Sequence, residues 1–158
     1  NISEVPDFRQ KTILYLFLGE EVASGAIVID GEFLHGYHRQ PCDFGRIQLP
    51  GGVSFLTALR ACKTVDVLIP VLLPFIHTLI QILAPATILV ECETVREGRE
   101  NVVPRLTDAL CETYGYAQDT LPEFIGTCCK FRHAHRGLAR TLREMWLDKY
   151  IIHTEQTE

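Results

Sequence analysis

The sequence predicts an α/β or α+β domain built around a mixed sheet. Three features carry that expectation. The stretch 65–93 (VDVLIPVLLPFIHTLIQILAPATILVECE) has no formally charged side chain between Val67 and Val90, and its breaks suit a βαβ unit. An Asp30-Gly31 pair stands between two apolar runs. Such a pair is the strongest short signal for a tight hairpin, because both turn positions favour positive φ. Near the C-terminus, Leu138, Leu142, Met145 and Trp146 fall on one face of an amphipathic helix over about 132–149.

The central stretch admits three readings. An uncharged window of this length is what a membrane span requires. Pro70, Pro74 and Pro85 interrupt it. Each removes a backbone donor, and a span accommodates one such break more easily than three. A hairpin of two long buried helices is the second reading. The third is βαβ: a short buried strand over 65–69, a helix over 71–83 with Pro74 in its first turn, and a second strand over 87–93. Parallel strands buried on both faces read as continuous apolar runs. The βαβ is therefore the working architecture, and no membrane span is expected.

In chain order, 1–10 reads as an N-terminal arm. Thr12–Leu18 is a strand, apolar on both faces, ended by Gly19, Glu20 and Glu21. A strand over 26–29 leads into the Asp30-Gly31 turn. Residues 32–38 return antiparallel, so that about 12–38 forms a meander. Residues 39–52 read as loop, punctuated by Pro41, Gly45, Pro50, Gly51 and Gly52. Ser54 caps a short helix with Phe55, Leu56, Leu59 and Cys62 on its inner side. After the central βαβ, 96–100 is a charged loop. Asn101 caps a helix to about Tyr114, with Pro104 near its start, Gly115 as its stop and Leu106, Ala109, Leu110 and Thr113 facing inward. A turn region around Pro122 follows. Residues 124–131 are ambiguous between strand and helix, 132–149 are the amphipathic helix, and 154–158 are a frayed tail. The whole of 1–158 is expected to form one globular domain.

Composition narrows the function without naming it. The chain has 158 residues, 47% hydrophobic and 22% charged, which is ordinary for a globular protein. A net charge of -5 argues against wholesale nucleic-acid binding. The polar N-terminus shows no cleavable signal pattern. Six cysteines would suit a secreted disulfide scaffold by number alone. Cys62 and Cys111, however, fall in expected helices and Cys92 in an expected strand, and the adjacent Cys128 and Cys129 pair poorly with each other. Free buried thiols in an intracellular compartment, cytoplasm or nucleus, fit better, with secretion the alternative.

Five groups of residues are candidate sites. His35, His38 and Cys42, joined by Cys128, His133 and His135, offer imidazole and thiolate ligands for zinc, though no C-x-x-C or H-E-x-x-H spacing is present. Asp30, Glu32, His35 and His38 place carboxylates beside imidazoles, as acid–base chemistry needs, but turn chemistry already explains Asp30. Cys42 or Cys128 with a histidine partner would make a nucleophile. The segment LPGGVSF (49–55) puts two glycines before a helix, where an anion could sit, yet a turn and a cap explain it equally. Arg132, Arg136, Arg140 and Arg143 form one basic stripe on the C-terminal helix. A stripe of this kind grips an acidic protein partner, or less readily nucleic acid, or is simply solvated.

No catalytic signature outweighs its structural explanation. The leading expectation is a non-catalytic protein–protein interaction or regulatory domain, homo- or hetero-oligomeric, as in a subunit of a larger complex, binding its partner through the arginine stripe without a cofactor. The first alternative is an α/β-core enzyme, a transferase or hydrolase, with its site near the His35–Asp43 loop or at the carboxyl ends of the central strands. The second is a structural zinc-binding domain.

Overall fold

The computed structural model describes residues 11–30, 32–34 and 42–127, all within one compact unit, Asn1–Cys128. The N-terminal arm, residues 35–38 of the meander, the helix expected over 132–149 and the tail 154–158 lie outside the described residues.

The described strands are β1 (Thr12–Leu18), β2 (Ala23–Ile29), β3 (Glu32–Phe33), β4 (Cys42–Asp43), β5 (Thr87–Cys92) and β6 (Glu123–Thr127). They form one mixed sheet in the order β3-β2-β1-β5-β6, with β4 also paired to β2. β2 runs antiparallel to β1, β3 and β4, whereas β1, β5 and β6 are parallel. Three helices accompany the sheet among the described residues: α1 (Phe55–Ala61), α2 (Val65–Leu83) and α3 (Val102–Tyr114). The expected α/β or α+β class with a mixed sheet is what the chain adopts.

The period of two along the strands decides where the core lies. Leu14, Leu16 and Leu18 of β1 alternate with Ile13, Tyr15 and Phe17. The leucines join Ile88, Val90 and Cys92 of β5 and Ala23 and Ile27 of β2 in one buried cluster. The helices supply its other half through Phe55, Leu59, Leu68, Leu72, Phe75, Ile76, Leu106 and Leu110. Each fully buried leucine contributes about 2 kcal/mol. Phe75 knits the layers together, its ring 4.4 Å from that of Phe55 and 5.3 Å from that of Phe44.

The Asp30 turn is as expected. Asp30 has φ 53, and β3 returns along β2 with Val28 opposite Phe33 and Ile29 opposite Glu32. Ser54 caps α1, accepting a hydrogen bond from the Thr57 amide at 3.2 Å. Gly115 ends α3 in the left-handed region, with φ 72. Of the ambiguous stretch 124–131, the part up to Thr127 belongs to strand β6, and 128–131 lie outside the described residues.

The central stretch needs a correction. Residues 65–69 are not a strand; they are the start of α2, which runs unbroken to Leu83 through Pro70 and Pro74. A βαβ unit exists, but its first strand is β1, lying parallel to β5 with Ile13 opposite Thr87. The prolines are tolerated because they stand four residues apart on the exposed side of the helix. Lacking an N–H, they leave the carbonyls of Asp66 and Pro70 without an intrahelical partner, and water can meet them on that exposed side. Asp66 in the first turn suits the positive end of the helix. By length and composition alone α2 could cross a membrane; here its inward residues Leu68, Ile69, Leu72, Phe75 and Ile76 are buried in the core. Its far end meets α3, where His77 stacks on Tyr114 at 3.8 Å and shares a hydrogen bond with the Tyr116 hydroxyl.

Candidate functional site at the carboxyl edge of the sheet

In open sheets with parallel strands, ligands gather outside the carboxyl ends of the strands, where the strand order reverses. That place lies here between β1 and β5. β1 continues into β2 on one side, and β5 leads through α3 to β6 on the other. The Glu93 amide donates to the Leu18 carbonyl at 2.8 Å, closing the two strand ends together.

Two cavities open along this edge. The larger, of about 490 Å³, lies on the β1–β2 side. Glu21, Asp43, Arg46, Gln48 and Ser54 give it a polar wall, and Ala23, Gly45 and Leu56 form its apolar part. It is an open depression: Glu21, Val22, Asp43, Arg46 and Gln48 in its lining are exposed. Pairing builds it from distant pieces: β4 lies on β2 with Asp43 opposite Ser24, and Gln48 bridges to Ser54. Asp43 is held loosely by Arg46, with Nε 3.8 Å from its carboxylate, and both side chains are exposed. Gly45 leaves the space they need, since a Cβ there would stand 3.2 Å from the Leu56 Cβ and 3.4 Å from Asp43 Oδ1.

The rim of this cavity is tied to α1. Arg60 Nε donates to the Glu20 carbonyl at 2.7 Å, and its Nη2 meets Glu21 Oε2 at 3.2 Å. Lys63 Nζ lies 3.6 Å from Glu20 Oε1. Arg60 and Lys63 are therefore both engaged by carboxylates of the β1–β2 turn.

The smaller cavity, of about 260 Å³, lies on the β5–β6 side. Val90, Cys92, Val102, Val103, Pro104 and Gly126 make it mainly apolar, with Arg99 and Glu100 at its margin. Arg99 Nε is occupied by the Val95 carbonyl at 2.7 Å.

On the sheet face away from the described helices, the Tyr15 hydroxyl donates to Glu91 Oε2 at 2.6 Å. Glu91 is only 4% exposed. Burial, then the Glu91 hydrogen bond, then the charges of Glu91 and Glu93, push the Tyr15 phenol well above its usual range.

The residues singled out from sequence fare unevenly. His35, His38, Cys128, His133, His135 and the row Arg132, Arg136, Arg140 and Arg143 lie outside the described residues. Cys42 is half-buried in β4 opposite Gly25. Burial raises its thiol above the ordinary value, which works against a thiolate at neutral pH. Among the described residues no three His, Cys, Asp or Glu side chains converge to hold a metal ion. Gly51 and Gly52, with φ 94 and 76, form a tight turn in which the Gly52 amide is taken by the Leu49 carbonyl, so the segment 49–55 is a turn and a cap. Of the cavity's polar wall, sequence reasoning reached only Asp43, as the end of a loop, and Ser54, as a cap. Glu21 was indistinguishable from a strand breaker.

Comparison with solved structures follows the fold. It is similar to a ROK family protein from Streptococcus pneumoniae TIGR4 in complex with sucrose, with TM-score 0.56 and 11% identity over 76% of this chain and 54% of that one. It is also similar to a ROK family glucokinase from Streptomyces griseus in complex with glucose and AMPPNP, with TM-score 0.51 and 13% identity over 74% of this chain and 55% of that one. This chain spans about half the length of both. No protein-family model matches the sequence, and no curated protein does. The fold is thus one that part of a ROK family glucokinase also adopts. This corrects the expectation of a non-catalytic interaction or regulatory domain and favours the alternative of an α/β-core enzyme. The misjudgement has a physical cause: the polar cavity is assembled by β2–β4 pairing, so no local motif announces it.

Proposed function

We propose that this chain is one lobe of a transferase that phosphorylates a hydroxyl group of a sugar, with the sugar held in the β1–β2 cavity. The observation that carries this reading is the polar cavity beside the β1–β2 turn, with the Asp43 and Glu21 carboxylates in its wall. Sugar hydroxyls both donate and accept. Carboxylates take their protons, while Arg46, Gln48 and Ser54 supply donors. The likeness to structures solved with sucrose and with glucose supports the same class of ligand.

In such a reaction Asp43 is the group placed to accept the hydroxyl proton as the oxygen attacks phosphorus. Arg60 and Lys63 are already engaged by Glu21 and Glu20. Four free cysteines among the described residues accord with an intracellular enzyme, and we place it in the cytoplasm.

Calorimetric titration of the full protein with glucose and sucrose, followed by an assay of ATP-dependent sugar phosphorylation, tests the reading. Asp43→Asn is expected to lower kcat by about 100-fold or more and to leave thermal unfolding in place. Absence of any saccharide binding, or an Asp43→Asn variant as active as the parent, would refute it.

A further inference from the structure

The cavity's two walls meet through α1. At its start, Ser54 and Leu56 line the cavity; at its last turn, Arg60 grips the β1–β2 turn that carries Glu21 and Val22, also in the lining. We infer that Arg60 is a positioning residue that sets the rim of the sugar cavity and thereby its affinity and selectivity. The inference rests on the sugar reading above.

The geometry separates Arg60 from an ordinary surface cation. One arm of its guanidinium captures a backbone carbonyl, that of Glu20, at 2.7 Å. Fixing that carbonyl fixes the peptide plane between Glu20 and Glu21, and with it the direction in which Glu21 leaves the turn. A second arm then holds the Glu21 carboxylate at 3.2 Å. Two directed bonds from one rigid plane are what a guanidinium offers and an ammonium does not. Lys63, 3.6 Å from Glu20 Oε1, adds charge but fixes no direction.

The alternative role is a plain ion pair on an exposed surface, which does little. Arg60 differs in what it holds: both ends of α1 then belong to one cavity, and release of the turn moves Glu21 and Val22 together. Arg60 touches no substrate in this arrangement. Its effect passes through the turn.

The test compares the full protein with Arg60→Ala, Arg60→Gln and Arg60→Lys variants. Arg60→Gln keeps the side chain's apolar stem and serves if the alanine variant folds poorly. The sugar KM is expected to rise about tenfold in the alanine and glutamine variants, with kcat within about twofold of the parent. Arg60→Lys, able to meet one group but not both, should recover only part of the loss. Amide exchange at 19–23 should quicken in the alanine variant without sugar present. Arg105→Ala serves as a control, breaking the exposed pair Arg105–Asp66 of 2.7 Å away from the cavity, and is expected to leave KM unchanged. A parent that binds sugar beside an Arg60→Ala variant of unchanged KM overturns the inference alone. A parent that binds no sugar overturns the reading and this inference with it.

Discussion

On the β1–β2 side the carboxyl edge is carboxylate-rich and its walls come from a turn, a two-residue strand and a helix start; on the β5–β6 side it is apolar and walled by two strand ends and α3. The first cavity is about 490 Å³ and the second about 260 Å³. One sheet thus presents two unlike surfaces on either side of a single seam. The polar side rests on the pairing of the two-residue strand β4 with β2, whereas the apolar side is made by strands of six and five residues and the helix between them. The difference teaches which side of the sheet has the less redundant support.

Two glycines put the contrast in measurable form. A Cβ on Gly25 would stand 2.1 Å from the Tyr15 carbonyl oxygen and 2.6 Å from the Phe44 ring. Neither can retreat, because one is the backbone of the middle strand and the other is core. A Cβ on Gly126 would stand 3.4 Å from Val103 Cγ2, an ordinary van der Waals contact that asks nothing to move. Gly25→Ala is therefore expected to cost about 3 kcal/mol or more, and Gly126→Ala less than about 1 kcal/mol. Urea unfolding of both variants measures the gap. Equal costs would mean that the polar side is no more tightly specified than the apolar one.

The same contrast explains what the sequence disclosed. β1 and the Asp30 turn were legible because their signals are local: a seven-residue apolar run, and a side chain suited to positive φ. α3 was legible through its stop at Gly115 and the inward Leu106 and Leu110. The start of α2 was not. Val67 is 51% exposed, and Pro70 and Pro74 share the solvent side, so apolar residues on both faces hid the helical period. Glu91 looked like the polar end of a strand, and only its neighbour across the sheet, Tyr15, reveals a buried carboxylate with a partner. The polar cavity was the least legible part, since Glu21, Asp43, Gln48 and Ser54 meet only once β4 lies on β2.

The seam itself gives the next test, of intermediate size. Tyr15→Phe leaves Glu91 buried without its hydrogen bond, a loss of about 2 kcal/mol. It also changes the response to pH. In the parent, folding raises the Tyr15 pKa above its ordinary value of 10.0. The folded state then holds the phenolic proton more tightly than the unfolded state. Its contribution is whole below about pH 10 and is lost as pH climbs through the raised value. Stability of the parent should fall more steeply at alkaline pH than that of Tyr15→Phe. Parallel curves would show that the phenol is not tied to Glu91 in solution.

The smallest expected effect compares the two helix starts that border the cavities. Ser54 accepts a hydrogen bond from the Thr57 amide and shares another with the Thr57 hydroxyl at 2.8 Å. Asn101 stands at the corresponding place before α3, yet its side chain makes no capping bond. A working cap is worth about 1 kcal/mol, and an idle one a few tenths. Ser54→Ala should therefore cost about 1 kcal/mol and also weaken sugar binding, because the lost hydroxyl is part of the cavity wall. Asn101→Ala should change stability by a few tenths of a kcal/mol at most. Thermal unfolding with and without glucose separates the two consequences at Ser54: loss of the cap lowers both midpoints equally, whereas loss of a ligand contact also narrows the interval between them. An unchanged interval would leave Ser54 as a cap alone and shift the sugar toward Asp43 and Glu21.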